Sequence, residues 1–265
     1  MPAGPQTAAR RLRKSKSRRA CAKKFSERRC GFMQKIVTFS FDDGVTQDRR
    51  LIALLKKYGL KCTFNLNSQL LGKEGRVPLA DGSLARHDKI APGDVKEVYA
   101  GFEVASHTRT HPMLTQCSPA RIAEETIGDY LRLSELVGYP VRGFAYPGGY
   151  PNCDRLVTEV LRACTSVVYA RTIVSTYELS FPRDLLQWDP TLHILDPRTD
   201  ELIDRFAAAG EDCLLYVWGH SYELDGPGGW DRAEAVFARV ASLRGVTCMT
   251  NMEVCDWMKE ARPRA

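Results

Sequence analysis

No stretch of this 265-residue sequence is apolar for the roughly 20 residues a membrane-spanning helix needs. Nor does its basic N-terminal region lead into the roughly 7–15-residue apolar core of a secretory signal. A cytoplasmic protein is therefore expected. Cys-x-x-Cys pairs are also absent. The nine cysteines (Cys21, Cys30, Cys62, Cys117, Cys153, Cys164, Cys213, Cys248 and Cys255) are odd in number and scattered, which excludes a zinc ribbon and suits a reducing compartment better than a disulfide framework. No internal repeat occurs, so solenoids and propellers are excluded. Histidine is sparse, with five residues in all. Three of them fall at the ends of strand-like runs.

The net charge of +6 is unevenly spread. Residues 1–32 hold eleven of the 38 Lys and Arg but one of the 32 Asp and Glu, so the remaining 27 bases and 31 acids leave a mildly acidic body. The basic stretch Arg10 to Arg19 has too little apolar surface to fold, and residues 1–32 read as a disordered tail. Residues 33–265 are long enough for one large α/β domain.

The chain is organised around Phe39-Ser40-Phe41-Asp42-Asp43-Gly44. The run Lys35 to Phe41 is rich in β-branched and aromatic residues and predicts a strand that stops at two adjacent carboxylates. Thr46 can cap a following helix with Leu51, Leu54, Leu55 and Tyr58 at helical spacing, ended by Gly59. Lys61 to Asn67 is a second strand, completing a βαβ unit of the kind that builds parallel sheets. Residues 72–93 lack a period and read as a long excursion. Gly101 to Ser106 is a strand that ends in His107-Thr108-Arg109-Thr110-His111.

A helix from Ser118 to Gly138 follows, then the strand Val141 to Tyr146 ending in Pro147-Gly148-Gly149, a helix over 153–163 and the strand Ser166 to Arg171. Residues 172–200 are irregular around Trp188. Cys213 to Trp218 is an apolar strand ending in Gly219-His220, and two further helices flank a strand at Val246 to Met249. About seven βα steps predict an irregular (β/α) barrel, with a doubly wound open sheet as the alternative.

In α/β folds ligands bind at the carboxyl ends of strands, where these polar residues fall. His107 and His111 are four apart, a spacing that on a helical turn projects both rings from one face. Two imidazoles and a carboxylate are the minimal ligand set of an open catalytic Zn²⁺ site or of another divalent metal. Each piece also has a plain structural reading: Asp-Asp-Gly is common turn chemistry, and a lone late His is often a satisfied imidazole.

Together the motifs resemble the polysaccharide deacetylase family, carbohydrate esterase family 4, from about Lys35 to Met258. The first family motif, Thr-Phe-Asp-Asp-Gly, is matched at Ser40 to Gly44, with Ser40 in place of Thr. The second, His-Ser/Thr-x-x-His, is matched at His107 to His111. The resemblance implies that Asp42 is the general base and that Asp43, His107 and His111 hold one divalent metal: zinc, or cobalt, nickel or manganese. The third motif, usually Arg-Pro-Pro-Tyr-Gly, becomes Ala145-Tyr146-Pro147-Gly148-Gly149, with Ala145 in place of the Arg that steadies the base and Gly148 in place of the Tyr whose N–H binds the oxyanion. Asp184 and Trp188 loosely match the fourth motif, and Leu215 to His220 match the fifth, which implies that His220 is the general acid.

The implied activity is removal of an N-acetyl group from an amino sugar or its oligomer. Hydrolysis of another amide or an O-acetyl ester stays open, as does a non-catalytic carbohydrate-binding protein on the same fold. The implied partner is an acetylated carbohydrate, without specific nucleic acid. Among aromatics that could stack on sugar rings, Tyr222 and Trp230 are expected to be exposed, with Tyr146, Tyr150 and Trp188 near the same loops.

Overall fold

The strand β1 (Lys35–Asp42) is buried along almost its whole length, as a central parallel strand covered on both faces must be. One edge pairs with β9 (Cys213–His220) from Lys35↔Cys213 to Asp42↔His220. The other edge is shared, its first half pairing with β10 (Val246–Cys248) and its second with β2 (Thr63–Leu66). The sheet continues through β5 (Glu103–Ser106), β6 (Gly143–Ala145) and β7 (Tyr169–Arg171), and on the far side through β8 (Leu192–His193), all in parallel.

The structure is a computed structural model that describes residues 33–261. The expected tail at residues 1–32 lies outside the described residues.

The curled sheet forms a half-barrel, and an irregular segment reaches across its open side. Trp188 exchanges backbone hydrogen bonds with Ala170 and Thr172, at 3.0 Å each, while Thr191 and Ile194 donate to Tyr216 and Trp218 of β9 at 2.9 and 2.7 Å. The expected irregular barrel is the observed one. Helices cover the outside: α1 (Asp48–Lys57) buries Leu51, Ile52 and Leu55. After a short α2 (Val95–Val98), the long α3 (Pro119–Val137) begins at Ser118, whose side chain accepts from the Arg121 N–H, and ends at Gly138 in the left-handed region. Then follow α4 (Arg155–Cys164), α5 (Thr199–Ala208), α6 (Gly229–Ser242) and α7 (Asn251–Ala261).

The core around Phe39, Phe41, Phe64, Phe206 and Phe237 lies between sheet and helices, each such side chain contributing about 1.5–3 kcal/mol by leaving water. The long excursion carries a small antiparallel hairpin, β3 (Arg76–Pro78) with β4 (Leu84–Arg86). Its three-residue strands are too short to show alternation in the sequence.

Candidate active site

Because β1 and β9 pair to their ends, Asp42 and His220 arrive side by side at the carboxyl edge of the sheet. Asp42 is 1% exposed and accepts a hydrogen bond from Asn65 Nδ2 at 2.7 Å. The fully buried Arg171 donates from Nη2 to both its oxygens, at 2.5 Å to Oδ1, and from Nη1 to Thr172 O at 2.8 Å. Burial alone would raise the Asp42 pKa, but the charges of Arg171 and His220, with the hydrogen bond from Arg171, outweigh it and hold the carboxyl below its ordinary value.

Arg171 is the register partner of Ala145 across β6 and β7. The arginine expected at position 145 is thus replaced by one from the neighbouring strand. The signal available in the sequence was an arginine closing the run Ser166 to Ala170.

Asp43 follows in a left-handed conformation, φ 81°, with Gly44 at φ 61°. A side chain at Gly44 would meet Leu66 Cδ2 at 2.7 Å, so this tight exit from β1 requires glycine. Asp43 Oδ1 lies 3.1 Å from Lys89 Nζ and 3.8 Å from His111 Nε2, and Oδ2 lies 3.2 Å from His87 Nε2. Burial would raise this carboxyl too, yet the hydrogen bond from His87 and the charge of Lys89 bring it well below its ordinary value. Neither His87 nor Lys89 was legible as a site residue; both arrive on the excursion after the hairpin.

His107 and His111 meet without the helical turn their spacing suggests. The chain leaves β5 and reverses through left-handed residues, Thr108 at φ 67° and His111 at φ 61°, bringing the ring centroids to 4.9 Å. Two carboxylates one turn apart on α3 hold this strained loop. Asp129 accepts from Ser106 Oγ at 2.6 Å and the His107 N–H at 3.1 Å, and Glu125 accepts from the Thr110 N–H at 2.9 Å.

His107 Nδ1 donates to Ala145 O at 2.8 Å, which fixes the tautomer and leaves the Nε2 lone pair free. Burial pushes the His107 pKa down to about 4 and lowers that of His111, so both rings are neutral, the form that ligates metal. One donor atom from each of Asp43, His107 and His111 lies within 4.8 Å of the others. The donor chemistry fits a divalent cation.

On the opposite side, His220 Nε2 lies 3.9 Å from Asp42 Oδ2, as does His107 Nε2. His220 Nδ1 lies 3.2 Å from Glu223 Oε2, and His193 Nε2 reaches the same oxygen at 2.8 Å. Burial would lower the His220 pKa, but Glu223, then Asp43 and Asp42, raise it to about 9. His193, His220 and Glu223 also have metal-like spacing. However, the Leu195 N–H donates to His193 Nδ1 at 3.3 Å, so in the neutral ring Nε2 carries the proton and donates it to Glu223. Glu223 also accepts the His220 backbone N–H at 3.3 Å, so this trio is an ion-paired support for His220 rather than a set of free ligands. All five histidines thus stand at this end of the sheet.

Residues 31–166, about half the chain, match the sequence profile of the family described as Polysaccharide deacetylase. The chain belongs to the polysaccharide deacetylase family. No curated protein matches its sequence. The fold is similar to that of a family 4 acetyl xylan esterase from Clostridium thermocellum in complex with a cobalt ion, with a TM-score of 0.54 at 16% identity over 86% of this chain and 93% of that one. It is similar, too, to a peptidoglycan deacetylase from Bacillus subtilis (TM-score 0.53, 16% identity, 86% and 95% covered). A third similar fold is the Xyl-CE4 domain of a multidomain xylanase from the hindgut metagenome of Trinervitermes trinervoides (TM-score 0.53, 19% identity, 86% and 92% covered).

Three further residues expected at the polysaccharide deacetylase site have different surroundings. Gly148, at φ 81°, packs so closely on the loop after His111 that a Cβ would fall 2.0 Å from Met113 Sδ. A side chain here would displace that of Met113 and would strain the left-handed backbone. Tyr146 is fully buried and its hydroxyl donates to Leu186 O at 2.6 Å, while Trp188, 1% exposed, packs edge-on against Tyr169 and Tyr216. Both side chains are core, not pocket wall. Tyr222 and Trp230, expected to be exposed, are 9% and 8% exposed, because Tyr222 lies against His87 and His220 and Trp230 donates to Asp225 at 2.9 Å. Tyr150 is the exposed aromatic among those named, at 79%.

Proposed function

We propose that this polysaccharide deacetylase family member is a metal-dependent hydrolase that removes an N-acetyl group from an amino sugar or its oligomer and releases acetate. The observation that carries the reading is the position of Asp42: its Oδ2 lies 3.9 Å from the Nε2 atoms of both His107 and His220, between the candidate metal donors and a cationic imidazole. A base is thereby set between a metal site and an acid, as amide hydrolysis needs.

Asp43, His107 and His111 would hold the ion. Zinc suits two neutral imidazoles and one carboxylate best, with cobalt, nickel or manganese as substitutes. Bound there, a divalent ion supplies Lewis acidity to the acetyl carbonyl and to the attacking water. Asp42, kept ionised by Arg171, accepts the proton of that water. His220, kept protonated by Glu223, gives its proton to the departing amine, a poor leaving group unless protonated. The Gly148 N–H is the donor assigned to the developing oxyanion, and Tyr150 is the ring available for stacking on a sugar. Among the described residues no helix is long and apolar enough to cross a membrane.

The test is metal content and acetate release together. Asp42→Asn should keep about one divalent ion per chain and lose turnover by ~100-fold or more. Asp43→Ala and His107→Ala should lose both. Comparing N-acetylated chito-oligosaccharides with O-acetylated xylo-oligosaccharides decides the bond cleaved: faster ester hydrolysis would replace the N-deacetylase reading.

A further inference from the structure

The reaction above leaves Lys89 unused, yet its ammonium touches the carboxylate assigned to the metal. Its side chain is 5% exposed, and Nζ lies 3.1 Å from Asp43 Oδ1 while donating to Asp43 O at 2.8 Å. The backbone around it is fastened to the exit of β1. The Ile90 N–H donates to Gly44 O and the Thr46 N–H to Asp88 O, both at 2.8 Å, and the Lys89 N–H donates to Lys73 O at 2.9 Å. With its stem buried and both neighbouring peptides pinned, the ammonium cannot swing clear of Asp43 without breaking this strap.

We infer that Lys89 is a fixed counter-charge to the metal-holding carboxylate, which stabilises Asp43 in the metal-free protein and opposes the cation when it binds, so that the site exchanges its metal readily. This rests on the assignment of Asp43 as a ligand. A buried carboxylate without a partner is costly, and Lys89 removes that cost in the metal-free state. A divalent ion held by the same carboxylate would be repelled by the ammonium, and because both side chains are buried that repulsion would be weakly screened. His87 keeps a hydrogen bond on Oδ2, so the carboxylate stays oriented when Lys89 is changed.

The two effects separate in variants of the full chain: Lys89→Met removes charge and hydrogen bond, Lys89→Gln removes the charge, and Lys89→Arg keeps it. Each would be stripped with a chelator, titrated with Zn²⁺ against a chromophoric competitor, and melted with and without Zn²⁺. Lys89→Met and Lys89→Gln should bind Zn²⁺ at least about tenfold more tightly, ~1.4 kcal/mol, and should melt lower than wild type when metal-free. Lys89→Arg should stay near wild type in both.

Equal or weaker Zn²⁺ binding in both uncharged variants would overturn the inference and make Lys89 an orienting partner. Absence of Zn²⁺ binding in the wild type would overturn the metal reading instead, and the metal-free melts would still decide the matter for Lys89. If neither uncharged variant then melts lower than wild type, Lys89 is not the counter-charge.

Discussion

Replacing Arg171 by Met removes the charge that keeps Asp42 ionised while roughly preserving the volume beneath Trp218, over whose ring the guanidinium lies at 4.6 Å. Asp42 would keep only its hydrogen bond from Asn65 as a close partner, with His107 and His220 at 3.9 Å. Breaking one side of a buried pair costs about 3–5 kcal/mol, which in a domain of this size lowers Tm by roughly 6–20 °C. The pH dependence has a definite sign. In the wild type the Asp42 pKa is depressed in the folded state, so its contribution to stability is present above the ordinary carboxylate value and is lost as pH falls through the lower folded value.

Without Arg171, burial is opposed only by the Asn65 hydrogen bond and the more distant charge of His220, and the carboxyl takes up its proton at higher pH. The acid limb of kcat/KM should move upward, and turnover at neutral pH should fall about tenfold or more. Arg171→Lys should recover part of both losses, since it restores the charge without the planar fork. Thermal melts and a pH–rate profile at fixed metal concentration read the outcome. A Tm within about 2 °C of wild type together with an unmoved acid limb would refute the role given to Arg171.

Glu223→Gln should draw the alkaline limb of kcat/KM to lower pH, because Glu223 does most to raise His220 to about 9. His220 contributes stability that is complete below the free imidazole value of 6.5 and is lost as pH rises toward about 9, and melts of the two proteins across that window should converge at its upper end. Asp129→Asn should weaken Zn²⁺ binding by roughly 10–100-fold in a chelator competition, because Asp129 accepts the His107 N–H and anchors the loop that carries both imidazoles. Gly148→Ala should cost ~1 kcal/mol or more in urea unfolding, since its Cβ would collide with Met113 and its φ is 81°.

How much of this was legible depends on where each residue's neighbours lie in the chain. Asp42, Asp43, His107, His111 and His220 are marked by local patterns at strand ends, and the parallel sheet brings those ends together. Arg171 became visible only through the register that sets it beside Ala145, and that pairing joins two strands with a helix between them. His87 and Lys89 depend on the strap of residues 88–90 onto residues 44–46, which no periodicity announces. The spacing of His107 and His111 suggested a helical turn, but left-handed residues in a loop bring the rings together instead. Trp188 lies in the segment that bridges β7 and β9, and so an aromatic in an irregular stretch turns out to be core.

The proposed deacetylation requires a divalent ion and Asp42 acting together. The most direct measurement is acetate release from an N-acetylated chito-oligosaccharide by chelator-stripped protein before and after Zn²⁺ is returned. Release should be lost on stripping and restored by about one equivalent of Zn²⁺ in the wild type, and in Asp42→Asn it should not be restored. Equal release by stripped and reloaded wild type would overturn the role of the metal, and full restoration in Asp42→Asn would overturn that of the base.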